Sequence, residues 1–182
     1  MAARTTALPL SKALCVIMAL VVALAFMPLP AQAASKSVSK QTFSTKVETV
    51  HKKAATVKKG TTKLTYKKGV GYIKFKAPAT KTYTFKFTSV KSKKFSSATY
   101  VSMYTPSKFK PGILAVKKMK TKGGKYNTLW LAANGYKHSG GKLLYRPLAT
   151  RTGKVKLKEG QWVYLYMGNE SGGKTTVKLT IK

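Results

Sequence analysis

From Leu64 onward, apolar and polar residues alternate in short runs. Ile73, Phe75 and Ala77 alternate with Tyr72, Lys74 and Lys76, and Tyr83, Phe85 and Phe87 with Thr84 and Lys86. Val155 and Leu157 alternate with Lys154, Lys156 and Lys158, and Val177, Leu179 and Ile181 with Thr176, Lys178 and Thr180. A strand points successive side chains to opposite faces, so a period of two with β-branched and aromatic residues marks a half-buried strand. Further strands are read at Ala98–Tyr104, Ile113–Met119, Lys125–Ala132 and Lys142–Arg146. The run Trp162–Met167 is apolar at both parities, which predicts a central strand covered on both faces. Turn residues punctuate these runs at Pro78, Pro111-Gly112, Gly123-Gly124, Asn134-Gly135, Gly140-Gly141, Glu159-Gly160 and Gly172-Gly173. No stretch after residue 33 carries a clear helical period. The expectation is an all-β fold, a single antiparallel β-sandwich of jelly-roll type with about eight to nine strands over residues 63–182.

The chain ahead of this region reads differently. Residues 34–62 are rich in Ser, Thr, Lys and Ala and read as an arm or linker, to which Phe43, Val47 and Val50 could add a strand. Residues 1–33 read as an export signal. Arg4 and Lys12 are basic, Ala13–Met27 is apolar, Pro28-Leu29-Pro30 breaks any helix, and Ala31-Gln32-Ala33 is a small-x-small cleavage site. The apolar run falls short of the roughly 20 residues a membrane span needs, which favours cleavage after Ala33 over an anchor. No second such run follows, so the expected mature chain is secreted and has no transmembrane segment. Cys15 is the single cysteine and leaves with the leader, taking disulfide and thiol chemistry with it.

Two segments carry a family resemblance. Gly71-Tyr72-Ile73-Lys74-Phe75-Lys76-Ala77-Pro78 leads through a short turn into Tyr83-Thr84-Phe85. This resembles the opening of bacterial pre-peptidase C-terminal domains, an aromatic-x-F-x-A-P strand followed by Y-x-F. Leu157-Lys158-Glu159-Gly160-Gln161 with the strand Trp162–Tyr166 is similar to that family's L-x-x-G-Q ending, and Val177-x-Leu179-x-Ile181 to its closing strand. The resemblance spans roughly residues 64–182. It implies a jelly-roll-like sandwich that accompanies secreted proteins and often binds polymers. The acidic residues that hold calcium in collagen-binding relatives have no counterparts here, and no peptidase domain accompanies this copy.

Charge narrows the function. The chain has 36 Lys and Arg against three acids, Glu48, Glu159 and Glu170, for a formal charge of +33. Such a field attracts polyanions and repels cations within a Debye length of about 8 Å. After the leader, the basic residues are lysines apart from Arg146 and Arg151. Lysine is a hydrated point charge without the planar fork that reads guanine or clamps phosphate, so diffuse attraction is expected over sequence-specific recognition.

Motifs with chemical content mostly dissolve on inspection. Gly168–Thr175 fits G-x-x-x-x-G-K-[ST], yet a phosphate loop needs a helix after it, and an alternating strand follows, so a hairpin turn is expected. Ser37-x-x-Lys40 and Ser171-x-x-Lys174 match a serine–lysine pattern, but neither opens an expected helix. His51 and His138 are read as exposed loop residues, and with no aspartate or mature cysteine no metal site is expected. Glu159 and Glu170 sit beside lysine or in turns, where a cation lowers a carboxyl pKa rather than raising it for acid catalysis. Asn169-x-Ser171 is a glycosylation sequon. No cofactor and no catalytic residue is expected.

Two sets of residues remain as candidate sites. Lys74, Lys76, Lys154, Lys156, Lys158 and Lys178 point opposite to apolar partners, about 6.6 Å apart along each strand. On a shared sheet they would form a cationic face for anion binding; otherwise they serve solubility and edge protection. Trp162, Tyr164 and Tyr166 share one face of one strand and form either core or a glycan-stacking platform, and Trp130 is a second candidate sugar contact. The reading is a secreted, non-catalytic module for anionic polymers: teichoic acid of a cell wall, glycosaminoglycan or sulfated glycan, or extracellular DNA, with non-specific nucleic-acid affinity. The alternatives are an accessory protein retained at an envelope by charge, and a carbohydrate-binding module that stacks sugars on aromatics.

Overall fold

The computed structural model describes residues 33–92, 98–132, 136–137, 143–145, 150–169 and 172–182. In chain order the elements are β1 (Ala34–Val38), α1 (Val47–Lys53), β2 (Ala55–Thr56), β3 (Gly60–Tyr66), β4 (Val70–Lys76), β5 (Lys81–Ser92) and β6 (Ala98–Pro106). There follow β7 (Leu114–Val116), β8 (Met119–Thr121), β9 (Gly124–Tyr126), β10 (Thr128–Ala132), β11 (Tyr136–Lys137), β12 (Leu143–Tyr145), β13 (Arg151–Leu157), β14 (Trp162–Asn169) and β15 (Thr175–Ile181). The leader, His138, Arg146, Glu170, Ser171 and the expected turns at residues 134–135 and 140–141 lie outside the described residues.

Two sheets pack face to face. One has the order β1-β3-β15-β5-β13-β8-β9; the other has the order β10-β6-β14-β4-β2, with β7 beside β6. β11 and β12 pair separately. The all-β sandwich read from the alternation is the architecture found. It is mixed rather than purely antiparallel, because β1 runs parallel to β3 and β2 parallel to β4. Two of the expected strands are each split between the sheets. Ile113–Met119 becomes β7 in one layer and β8 in the other, and Lys125–Ala132 becomes β9 and β10.

The core between the layers uses one parity of each strand. Ile73, Phe75, Val101, Met103, Leu129, Leu131, Val163, Leu165 and Met167 face Leu64, Tyr83, Phe85, Phe87, Val155, Leu157, Val177, Leu179 and Ile181. As the apolar run implied, β14 is central, paired with β4 on one side and β6 on the other.

The expected arm is a correction. Residues 34–62 belong to the fold: β1 extends the seven-stranded sheet, and residues 41–54 lie over the outer face of the other sheet. Val47, Val50 and Ala54, spaced three and four apart, put one stripe of α1 against Tyr72 and Tyr164. A seven-residue helix is marginal alone, so sheet contact rather than local propensity makes it helical. The strap is pinned by backbone bonds from Gln41 N–H to Val70 O at 2.8 Å, Val47 N–H to Gly112 O at 2.7 Å and Leu114 N–H to Thr45 O at 2.6 Å.

A lysine-threonine sheet face and an aromatic groove

The outer face of the seven-stranded sheet carries almost nothing but lysine and threonine. Direct cross-strand registers set Lys154 opposite Lys120, Lys120 opposite Lys125, and Lys178 opposite Lys63. A second row runs Thr61, Thr180, Lys86 and Thr152, with the hydroxyls of Thr61 and Thr180 hydrogen-bonded at 3.0 Å. Lys63, Lys86, Lys120, Lys125, Lys154, Lys156 and Lys178 are all exposed. Neither described acid lies on this face, since Glu48 is in α1 and Glu159 is in the turn after β13. Like charges directly opposed across strands repel by a few tenths of a kcal/mol or more per pair.

The six lysines singled out in the sequence do not share one surface. Lys154, Lys156 and Lys178 are on this face, and Lys158 follows at the end of β13. Lys74 and Lys76 are on β4, in the opposite layer, and their surroundings differ. The Lys74 ammonium donates to the His51 carbonyl at 2.7 Å, and both ammoniums sit over the Trp162 ring, at 5.6 and 5.9 Å. Lys74 is thus a contact of the strap, and exposed Lys76 lies over an aromatic ring of β14. In their place the fold adds Lys63, Lys86, Lys120 and Lys125, which only strand pairing brings together.

The outer face of the six-stranded sheet is aromatic, and the strap packs on its Tyr72 and Tyr164. Trp162, Tyr164 and Tyr166 do point away from the inter-sheet core, as one alternative held. Yet Tyr164 and Tyr166 are buried and Trp162 is half-buried beneath residues 41–54, so the row is the floor of a second small core and not an open platform. His51, expected in an exposed loop, sits in α1, with Nδ1 2.7 Å from the Tyr164 hydroxyl and its ring edge-on to Trp162 at 4.8 Å. Burial, followed by the nearby Lys74 charge, lowers the His51 pKa from 6.5. Tyr72 lies under the strap and donates from its hydroxyl to Ser44 O at 2.8 Å. Desolvation pushes its pKa up to about 12.

Where the strap ends, a groove opens along β6 and β10. Phe43, Tyr100, Ser102, Tyr104, Thr128, Trp130 and Tyr166 line about 380 Å³. Phe43 and Trp130 stand at its edges, 53% and 57% exposed. Trp130 leans on Tyr100 at 6.1 Å between centroids, and Phe43 on Tyr104 at 5.8 Å and Tyr166 at 5.6 Å. The sequence reading named Trp130 and Tyr166 but missed Phe43, Tyr100 and Tyr104. The parity of Tyr100, Ser102 and Tyr104 against Val101 and Met103 was the available signal for two of them.

The phosphate-loop match ends in β15, with a strand where such a loop needs a helix. That link is not the expected hairpin, because β14 and β15 belong to different sheets and the chain crosses between layers there. Thr175 is buried. Among the described residues no group of three or more His, Cys, Asp or Glu is placed to hold a metal ion, and no helix is long and apolar enough to cross a membrane.

No protein-family model and no curated protein matches the chain. One solved structure, described as CorA, a surface-associated copper-binding protein important in copper acquisition by Methylomicrobium album BG8, is similar at a TM-score of 0.39. It is 12% identical, over 71% of this chain and 98% of that one.

Proposed function

We propose that this is a secreted, non-catalytic module that holds anionic polymers on the outer face of its seven-stranded sheet. The carrying observation is the opposition of Lys154, Lys120 and Lys125 on three adjacent strands, with Lys178 against Lys63 beyond, on a face that neither described acid occupies. With strands about 4.8 Å apart, and Lys154 and Lys156 about 6.6 Å apart along β13, these lysines make a cationic grid. Its internal repulsion is relieved when a polymer of phosphates, sulfates or carboxylates lies across it. Lysine suits such a surface because each ammonium acts as a point charge indifferent to ligand geometry. Teichoic acid, sulfated glycan and extracellular DNA share the required chemistry. An export signal in residues 1–33, as the sequence reads, supports this by bringing the module to where such polymers are met. The resemblance to pre-peptidase C-terminal domains fits the same reading, since those domains accompany secreted proteins.

Titration with heparin and with inorganic polyphosphate at about 50 and 200 mM salt tests the proposal. Each neutralised anion adds roughly 0.7 to 0.9 to the slope of log affinity against log salt. Changing Lys120, Lys125 and Lys154 together to Gln should therefore lower the slope by about two. Gln at Lys46, Lys52 and Lys53, exposed on the strap over the other sheet, removes equal charge and should lower it far less. Equal losses in the two variants reject a dedicated face.

A further inference from the structure

We propose that the groove between Phe43 and Trp130 binds an uncharged saccharide, at a site separate from the lysine face and independent of it. The first support is what the groove lacks. One residue in five of this chain is charged, at 21%, yet none of the described residues lining the groove is charged. On a protein of +33, a hollow whose described walls carry no lysine is matched to a neutral ligand.

The second support is the exposed aromatic surface held by rigid elements. Trp130 projects from β10, where Leu129 and Leu131 on either side are fully buried, and Tyr100 buttresses its ring. A strand position fixed on both sides holds the indole steady for stacking, with little ordering left to occur on binding. Phe43 stands across the groove on Tyr104 and Tyr166, so the two edges are rings and the space between them is about 380 Å³. Small-molecule sites run from roughly 300 to 1,000 Å³.

The third support is polar. Ser102 Oγ and Thr128 Oγ1 share a hydrogen bond of 2.8 Å. Ser102 also hydrogen-bonds the Tyr104 hydroxyl. Each hydroxyl has one donor and two acceptor positions, so the three joined by two bonds keep one donor and several acceptor positions for a ligand. A sugar presents an apolar C–H face suited to stacking on Trp130 and a rim of hydroxyls that both donate and accept. A nucleobase could stack there as well, but its phosphates would need cations at the groove. A proline-rich strand offers backbone acceptors with few donors, a poorer match to the hydroxyl pair.

Calorimetric titration of the protein with cellohexaose, chitohexaose and maltohexaose tests this at about 1 M salt, where the Debye length is roughly 3 Å and charge attraction is suppressed. At least one should bind, with affinity falling on the order of tenfold in Trp130→Ala and largely restored in Trp130→Phe. Ser102→Ala should weaken binding by a smaller factor. The Lys120, Lys125 and Lys154 glutamine variant should bind the sugar normally, so this site and the polyanion face fail separately. Absence of binding by all three sugars overturns the proposal, as does undiminished affinity in Trp130→Ala. Tighter Trp130-dependent binding of single-stranded DNA or a proline-rich peptide under the same conditions also overturns it.

Discussion

Lys74 donates from its ammonium to the carbonyl of His51 at 2.7 Å, tying β4 to the last turn of α1. The carbonyls at a helix C-terminus have no partner within the helix, and a cation there satisfies one of them and suits the local dipole. Gln41 does the same at the end of that turn, with Nε2 donating to Lys53 O at 3.1 Å. A lysine that reads as a surface charge is thus part of the clamp that keeps the strap on the aromatic face.

Removing that clamp should loosen the strap without touching the polyanion face. Lys74→Gln is expected to lower unfolding free energy by about 1 kcal/mol and to raise amide exchange in Val50–Ala54. Its heparin affinity should fall no more than that of an exposed lysine outside the grid. A selective collapse of heparin binding with unchanged exchange would return Lys74 to the anion site.

His51 makes the strap sensitive to acid. Its pKa is lowered from 6.5 in the folded state, so between the two values the unfolded chain takes up a proton that the folded chain refuses. Stability is full above the unfolded value and is lost as pH falls through the folded one. Unfolding free energy should therefore decline as pH drops below about 6.5, and His51→Gln should flatten that portion of the curve. NMR titration showing His51 protonating above 6.5 would reverse the sign.

Gly71 allows the chain leaving β1 to pass close against the start of β4. A Cβ there would run into the Ser39 carbonyl and lie 2.8 Å from Val38 Cγ1. Gly71→Ala should cost about 1–3 kcal/mol, the range for forcing an extra carbon into packed structure. Urea unfolding checks it, and a neutral result would mean that residues 38–39 are free to move away.

Two buried tyrosines should respond oppositely to losing a hydroxyl. Tyr66 is buried with no hydrogen-bond partner for its hydroxyl among the described residues, and burial pushes its pKa far up. Tyr83, equally buried, donates to Ala79 O at 2.9 Å and accepts from Ala79 N–H at 3.1 Å, closing the turn before β5. Tyr66→Phe should be neutral or stabilising by about 1 kcal/mol, and Tyr83→Phe should be destabilising by about 1 kcal/mol. Thermal melts of the two variants give the comparison directly.

The sequence alone determined the class of fold and the parity of its strands. Period two is a local property, so alternation in residues 72–77, 83–87, 154–158 and 176–181 was enough to say which side chains face the core. The double-sided apolar run of Trp162–Met167 likewise announced a covered central strand. Charge and its lysine character were legible because they depend on composition.

Strand order was not legible, and the sites depend on it. Lys154, Lys120 and Lys125 become neighbours only through pairing of β13, β8 and β9, and Lys74 and Lys76 are separated from them only because β4 falls in the other layer. The strap escaped for a related reason. Val47, Val50 and Ala54 make too short a stripe to register as a helix, and what holds them helical is the aromatic face of another layer. That same covering decided the fate of Trp162, Tyr164 and Tyr166. Parity put them outside the main core, but whether a strand's outer face meets water or a second layer depends on residues far away in the chain.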